Sequence, residues 1–207
     1  VTLTGPVQLG AAVTIDTSSI DGKGSGDGGN VHFTNKIDSV SGATNALTIT
    51  TKAGTVQVDN IIGSTDALGA LTINNNAGDT GSITLNGIGD GDPAAGAAAT
   101  LIGGAGTVGM TLNGEFYDTA AATYQVASGT IDVARGSDGT TEFGLNNAAI
   151  SFTGGNVNLA NGTNLSISTG NGAISVPGIR ANSSETVAIS STGGITIGTG
   201  GIGSSNQ

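Results

Sequence analysis

The sequence predicts an all-β fold: a parallel β-helix (β-solenoid) of roughly nine rungs, built by residues 1–207 as one domain. Three observations carry that expectation. Short units of apolar, polar, apolar residues recur down the chain, separated by Gly, Asn, Ser and Thr. Alternation of this kind, rich in β-branched residues, reads as strands with one buried face. The units also keep a longer register: Leu47 to Leu71 is 24 residues, Val56 to Ile83 is 27, Leu165 to Val187 is 22 and Ile174 to Ile195 is 21. Finally, the 207 residues include 38 Gly, and apolar spacing of the i, i+3, i+4 kind is missing. Each Gly inside a helix would cost about 1 kcal/mol relative to Ala.

In chain order the strand units are residues 13–15, 31–33, 47–49, 56–58, 71–73 and 83–85, then 108–112, 131–133, 150–152, 157–159 and 165–167, and last 174–176, 187–189 and 195–197. A period of 21–27 residues holding two or three such units suits one rung of a parallel β-helix. No rung buries its apolar face alone; stacking places Val, Ile and Leu above one another and satisfies the backbone between rungs. At about 22 residues per rung and about 4.8 Å between rungs, the rod would be about 45 Å long. Gly and Asn belong at the corners, where they tolerate positive φ. Thr14, Thr48, Thr72, Thr84, Thr111 and Thr196 take the outward middle position of their units, where a β-branched residue fits an exposed pleat. The scarcity of aromatics fits a narrow, aliphatic interior. An antiparallel sandwich or barrel would instead show spacing near 8–12 residues without the longer register. The run Ile150, Val157, Leu165, Ile174 matches that locally.

One stretch breaks the pattern, an irregular insertion around residues 90–129. It contains an Ala-rich run and holds Phe116, Tyr117 and Tyr124. One reading is a loop or widened rung that displays these three aromatics to a sugar or protein partner. The other is an irregular rung or short Ala-rich helix whose aromatics cover one end of the core.

Charge narrows the function classes. Five basic and 15 acidic residues give a net charge of −10. The scattered Lys23, Lys36, Lys52, Arg135 and Arg180 cannot neutralise a row of phosphates, which argues against nucleic acid and anionic lipid. No apolar run is long enough to insert as a membrane helix. With no Cys there is no disulfide framework and no thiolate metal site. Few Lys among abundant Thr, Ser, Asn and Gly fit an exported, cell-surface protein. A chain that begins at Val1 without Met or leader reads as a processed product or an excerpt.

Catalytic and metal signatures are weak, and no enzyme activity, cofactor or metal is expected. The single histidine, His32, occupies an outward strand position with no partner motif for general-base chemistry. Asp90 and Asp92 form the one D-x-D pair, in a Gly-rich loop beside Pro93, whereas glycoside hydrolysis needs two carboxylates flanking the scissile bond. The Asp21–Asn30 stretch lacks the ligand order and terminal Glu of a calcium loop and reads as a corner.

Phrases such as Gly29-Asn30-Val31-His32-Phe33-Thr34, the run from Asn45 to Val56, and Leu68-Gly69-Ala70-Leu71-Thr72-Ile73-Asn74 resemble the repeats of filamentous-haemagglutinin-type and autotransporter-type bacterial surface adhesins. The resemblance covers nearly everything outside residues 90–129 and is one of repeat style. The Asn-Pro-Asn of the family's secretion domain is absent. The resemblance implies a right-handed parallel β-helix and a role in adhesion or cell-surface structure. Partners would then be other copies of the chain, the rest of a longer surface protein, or glycans and proteins of a host or neighbouring cell. A second reading is a self-assembling filament or coat subunit, because neither Val1-Thr2-Leu3-Thr4 nor the Gly- and Ser-rich end from Gly198 to Gln207 carries an obvious cap. A third is an ice- or crystal-surface-binding Thr array. It ranks last because Ser, Asn, Gln, Asp and Ala replace Thr at many equivalent positions.

Overall fold

The computed structural model describes residues 1–19, 28–92, 96–136, 139–181 and 183–204. Among them there are strands and no helices, and every strand pairing is parallel. Non-consecutive strands neighbour one another throughout, which is the topology of a β-solenoid.

Three walls enclose one core. A nine-stranded sheet runs from Thr2–Leu3 to Ile202–Ser204, and an eight-stranded sheet from Val13–Asp16 to Ile195–Ile197. The third wall is broken. It starts as Val7–Leu9 beside Ile37–Ser39, continues as single bridges through Ile62, Ile88 and Tyr117, and becomes a sheet of Gly139–Gly144, Thr163–Ser168 and Val187–Ser190.

The four long-range registers read from the sequence are the observed pairings: Leu47 lies opposite Leu71, Val56 opposite Ile83, Leu165 opposite Val187, and Ile174 opposite Ile195. The rung count is corrected. Eight strands in the second sheet delimit seven turns, so the solenoid has about seven turns, not nine. The cause is uneven turn length. Val13 pairs with Leu47, a step of 34 residues, whereas Ile174 pairs with Ile195, a step of 21. At about 4.8 Å per turn, seven turns span about 34 Å.

The stretch 90–129 is also corrected. It is no irregular insertion: Ala97–Ile102, Met110–Leu112 and Ala122–Gln125 are strands in register with the turns on either side. What hid two of them is composition. Thr100 and Ala122 take inward positions that other turns fill with Leu or Ile.

The same turns bury a cluster of rings. Tyr117 stacks on Phe143 from the next turn at 5.0 Å, and Tyr124 stacks on Phe152 at 5.2 Å. The two stacks meet edge to face, with Tyr124 5.5 Å from Phe143 and Phe143 5.2 Å from Phe152. Each such pair contributes about 0.5–1.5 kcal/mol beyond its buried area. Apart from Phe33 near the N-terminal end, the buried rings are therefore gathered in the middle turns.

Corners close by two devices. Thr51 donates its hydroxyl to the Gly54 carbonyl, and Thr169 does the same to Gly172, each at 2.5 Å. At the first of these corners Asn74, from the next turn and at φ 47°, accepts from the Thr51 N–H and returns a bond to its hydroxyl. Elsewhere chains approach too closely for any side chain: a Cβ on Gly154, at φ 85°, would fall 1.6 Å from the Val126 carbonyl oxygen.

Candidate functional site

Tyr117 and Tyr124 cannot meet a partner. Both are fully buried in the aromatic core, which overturns their reading as displayed contacts and equally the idea that they cover one end of it. The Tyr117 hydroxyl accepts from the Gly114 N–H and donates to the Leu85 carbonyl. Burial pushes this phenol well above its ordinary value. Phe116 is half-buried, and its ring sits against Gly91.

His32 does face outward, on the nine-stranded sheet. Its Nε2 lies 2.6 Å from Asp59 Oδ2, while Asp59 Oδ1 accepts from Gln57 Nε2 at 2.6 Å. The bonds from Gln57 and His32 hold Asp59 below the usual carboxylate range. This is a surface bracket between adjacent turns, with Asp59 engaged on both oxygens. It orients no nucleophile that the structure shows.

The Asp90–Asp92 loop surrounds a third carboxylate. The Gly91 N–H donates to Asp118, which is buried, and Asp92 N–H bonds back to Asp90. Desolvation raises Asp118 to about 6; the Gly91 bond opposes that, and the charges of Asp90, Asp92 and Glu142 add to it. Among the described residues no group of three or more His, Cys, Asp or Glu could hold a metal ion. Most of the Asp21–Asn30 corner lies outside the described residues. A polar depression bounded by Asp16, Thr50, Lys52 and Asp79 mixes both signs of charge.

Outward columns distinguish the walls. On the nine-stranded sheet the middle outward residues run Thr2, His32, Gln57, Thr84, Thr111, Asp132, Asn158 and Arg180. That face is mixed and carries both charges. On the eight-stranded sheet the equivalent residues run Thr14, Thr48, Thr72, Leu101, Thr123, Ser151, Ser175 and Thr196, seven hydroxyls and one Leu. Two residues earlier in each strand unit, and so on the same face, stand Ala46, Ala70, Ala99, Ala121, Ala149 and Ala173, with Ala12 and Gly194 at the ends. Neither column holds a charged or aromatic residue. A shallow depression lies over Ala99, Ala121 and Ala149, flanked by Leu101, Thr123 and Ser151.

Sequence reading found most of these Thr residues and missed their arrangement. It pooled Thr84 and Thr111 with Thr14, Thr48, Thr72 and Thr196, although the first two belong to the other wall. The Gln57, Asp132 and Asn158 that seemed to interrupt a Thr array belong to that other wall as well. The Ala-x-Thr/Ser spacing itself was the available signal.

The ends differ from the middle. Ile15 and Ile197 are half-buried, whereas their partners in the adjoining turn, Ile49 and Val176, are buried. Ile195 is 45 % exposed and Ile202 56 %. No protein-family model, curated protein or solved structure matches this chain.

Proposed function

We propose that the chain is an extracellular structural or adhesive β-solenoid module of a bacterial or archaeal cell-surface protein, non-enzymatic, whose immediate property is stiffness. The observation that carries this reading is the stack of about seven parallel turns around one dry core, each turn hydrogen-bonded to the next along its walls. A rod of this kind holds its outer faces at fixed spacing, as part of a longer surface protein or, in the second reading, as one copy in a filament or coat. The stacked parallel repeats fit the resemblance to β-repeat surface proteins, and the acidic net charge of −10 limits nonspecific clumping by mutual repulsion.

Electron microscopy of the purified chain at neutral pH, with its solution mass, tests this. Discrete rods at the 19.7 kDa monomer mass support the module reading, and glycan and cell-binding screens would follow. Regular fibres with a short axial repeat make it a self-assembling subunit. Particles that are neither rods nor fibres would sink both.

A further inference from the structure

We propose that the outer face of the eight-stranded sheet binds ice. The inference is independent of the rod's role at a cell surface; it concerns one wall.

The face is a grid. Its two columns lie two residues apart along each strand, about 6.6 Å, and repeat from turn to turn at about 4.8 Å. These spacings are near the oxygen repeats of hexagonal ice. One column is Ala methyl groups and the other is hydroxyls, five of them Thr, which also carries a methyl. Water over methyl groups cannot bond to them and orders around them. Hydroxyls donate and accept within that ordered layer and tie it to the protein. Lys, Arg, Asp or Glu would orient water strongly and break such a layer, and both columns lack them in a chain whose net charge is −10. The backbone beneath is held by a parallel ladder on both sides of every inner strand, so the grid is already formed before contact.

Other occupants fit less well. Two columns over seven turns cover about 34 Å by about 12 Å, roughly 400 Å², about half of what one partner buries in a stable protein interface. A second copy would therefore gain too little here. A sugar ring would want an aromatic platform, and neither column holds an aromatic. Phosphate-bearing surfaces would want Lys or Arg. A neutral solid lattice needs none of these.

The test is partition of the purified chain into slowly growing ice, with thermal hysteresis and crystal shape measured on the same samples. Wild type is expected to enrich in the ice and to shape crystals. Thr72→Lys and Thr123→Lys on this face should lower both signals several-fold. Thr84→Lys and Thr111→Lys, the same change at the same kind of position on the nine-stranded sheet, should leave them intact. Circular dichroism melts confirm that all four remain folded, and the wild-type partition stands without any variant. Exclusion of wild type from ice overturns the proposal, as does equal loss in both pairs. A dimer in solution that only the first pair dissociates would also overturn it and assign the face to a second copy.

Discussion

The two long sheets are alike inside and unlike outside. Inward, Leu47 and Ile49 on one wall match Val56 and Val58 on the other, all at most 1 % exposed. Outward, one wall mixes His32, Gln57, Asp132 and Arg180 with Thr, and the other repeats Ala and Thr or Ser without a charge. A dry interior dictates the inward pattern wherever turns stack, so it carries no information about function. The outward positions are free to vary. Regularity on one free face and its absence on the other is therefore the informative difference.

The sharpest test of the first half is inward truncation. Ile73→Ala and Leu85→Ala, one on each wall and both fully buried, should each destabilise by about 2–5 kcal/mol in urea melts, through lost burial plus the cavity left behind. A large cost on one wall alone would mean that the walls do not share one core. Within the aromatic middle, Tyr117→Phe should cost about 1–3 kcal/mol, because the Gly114 N–H loses its buried partner, while the Leu85 carbonyl keeps only its bond from the Asn113 N–H. Tyr124→Phe is the contrast. Its hydroxyl is buried with no hydrogen-bond partner, so removing it should leave stability unchanged or raised.

How far the sequence could be read follows the same division. Pairings such as Leu47 with Leu71 were legible because aliphatic alternation survives in both strands. Ala97–Ile102 and Ala122–Gln125 were not, because an inward Thr or Ala looks like a break in the aliphatic alternation. The aromatic cluster is assembled from separate turns. Phe143 meets Tyr117 and Tyr124 only after two walls have been stacked, and no local pattern encodes the meeting. The first half of the third wall escaped for a different reason, although its Leu165–Val187 pairing was legible. Ile62 and Ile88 touch their neighbours through single bridges, too short to alternate. The hydroxyl column needed the assignment of each unit to a wall, and units that look identical in sequence alternate between walls.

Asp118 is a charge caught on the wrong side of this division, buried at the third wall. Its carboxyl is raised to about 6 against an ordinary value of 3.8, so the folded chain holds the proton more tightly than the unfolded one. Stability therefore rises as pH falls from 7 through about 6 toward 4, and the benefit is complete once the unfolded carboxyl is also protonated. Carboxylates held low, Glu185 at about 2 and Asp59 in the same direction, oppose this below their ordinary values, leaving the window between about 6 and the ordinary carboxylate range. Asp118→Asn keeps an acceptor for the Gly91 N–H. It should raise the melting temperature at pH 7 and flatten its rise between pH 7 and pH 5. An unchanged profile would show that Asp118 is ionised without penalty.

The smallest effect on stability separates stability from function. Exposed changes away from such features stay within about 0.5 kcal/mol, so Thr72→Lys and Thr111→Lys should melt alike although they lie on different walls. Leu101 is the one residue that breaks the hydroxyl column, 41 % exposed between Thr72 and Thr123. Leu101→Thr completes the column and removes an exposed side chain larger than its neighbours. Its melting temperature should match wild type, while partition into ice should rise. A rise in ice partition without a change in melting temperature would tie the activity to the grid itself, because nothing else about the wall has been altered. A fall would mean that the apolar bulk of Leu101, rather than the regularity around it, carries the contact.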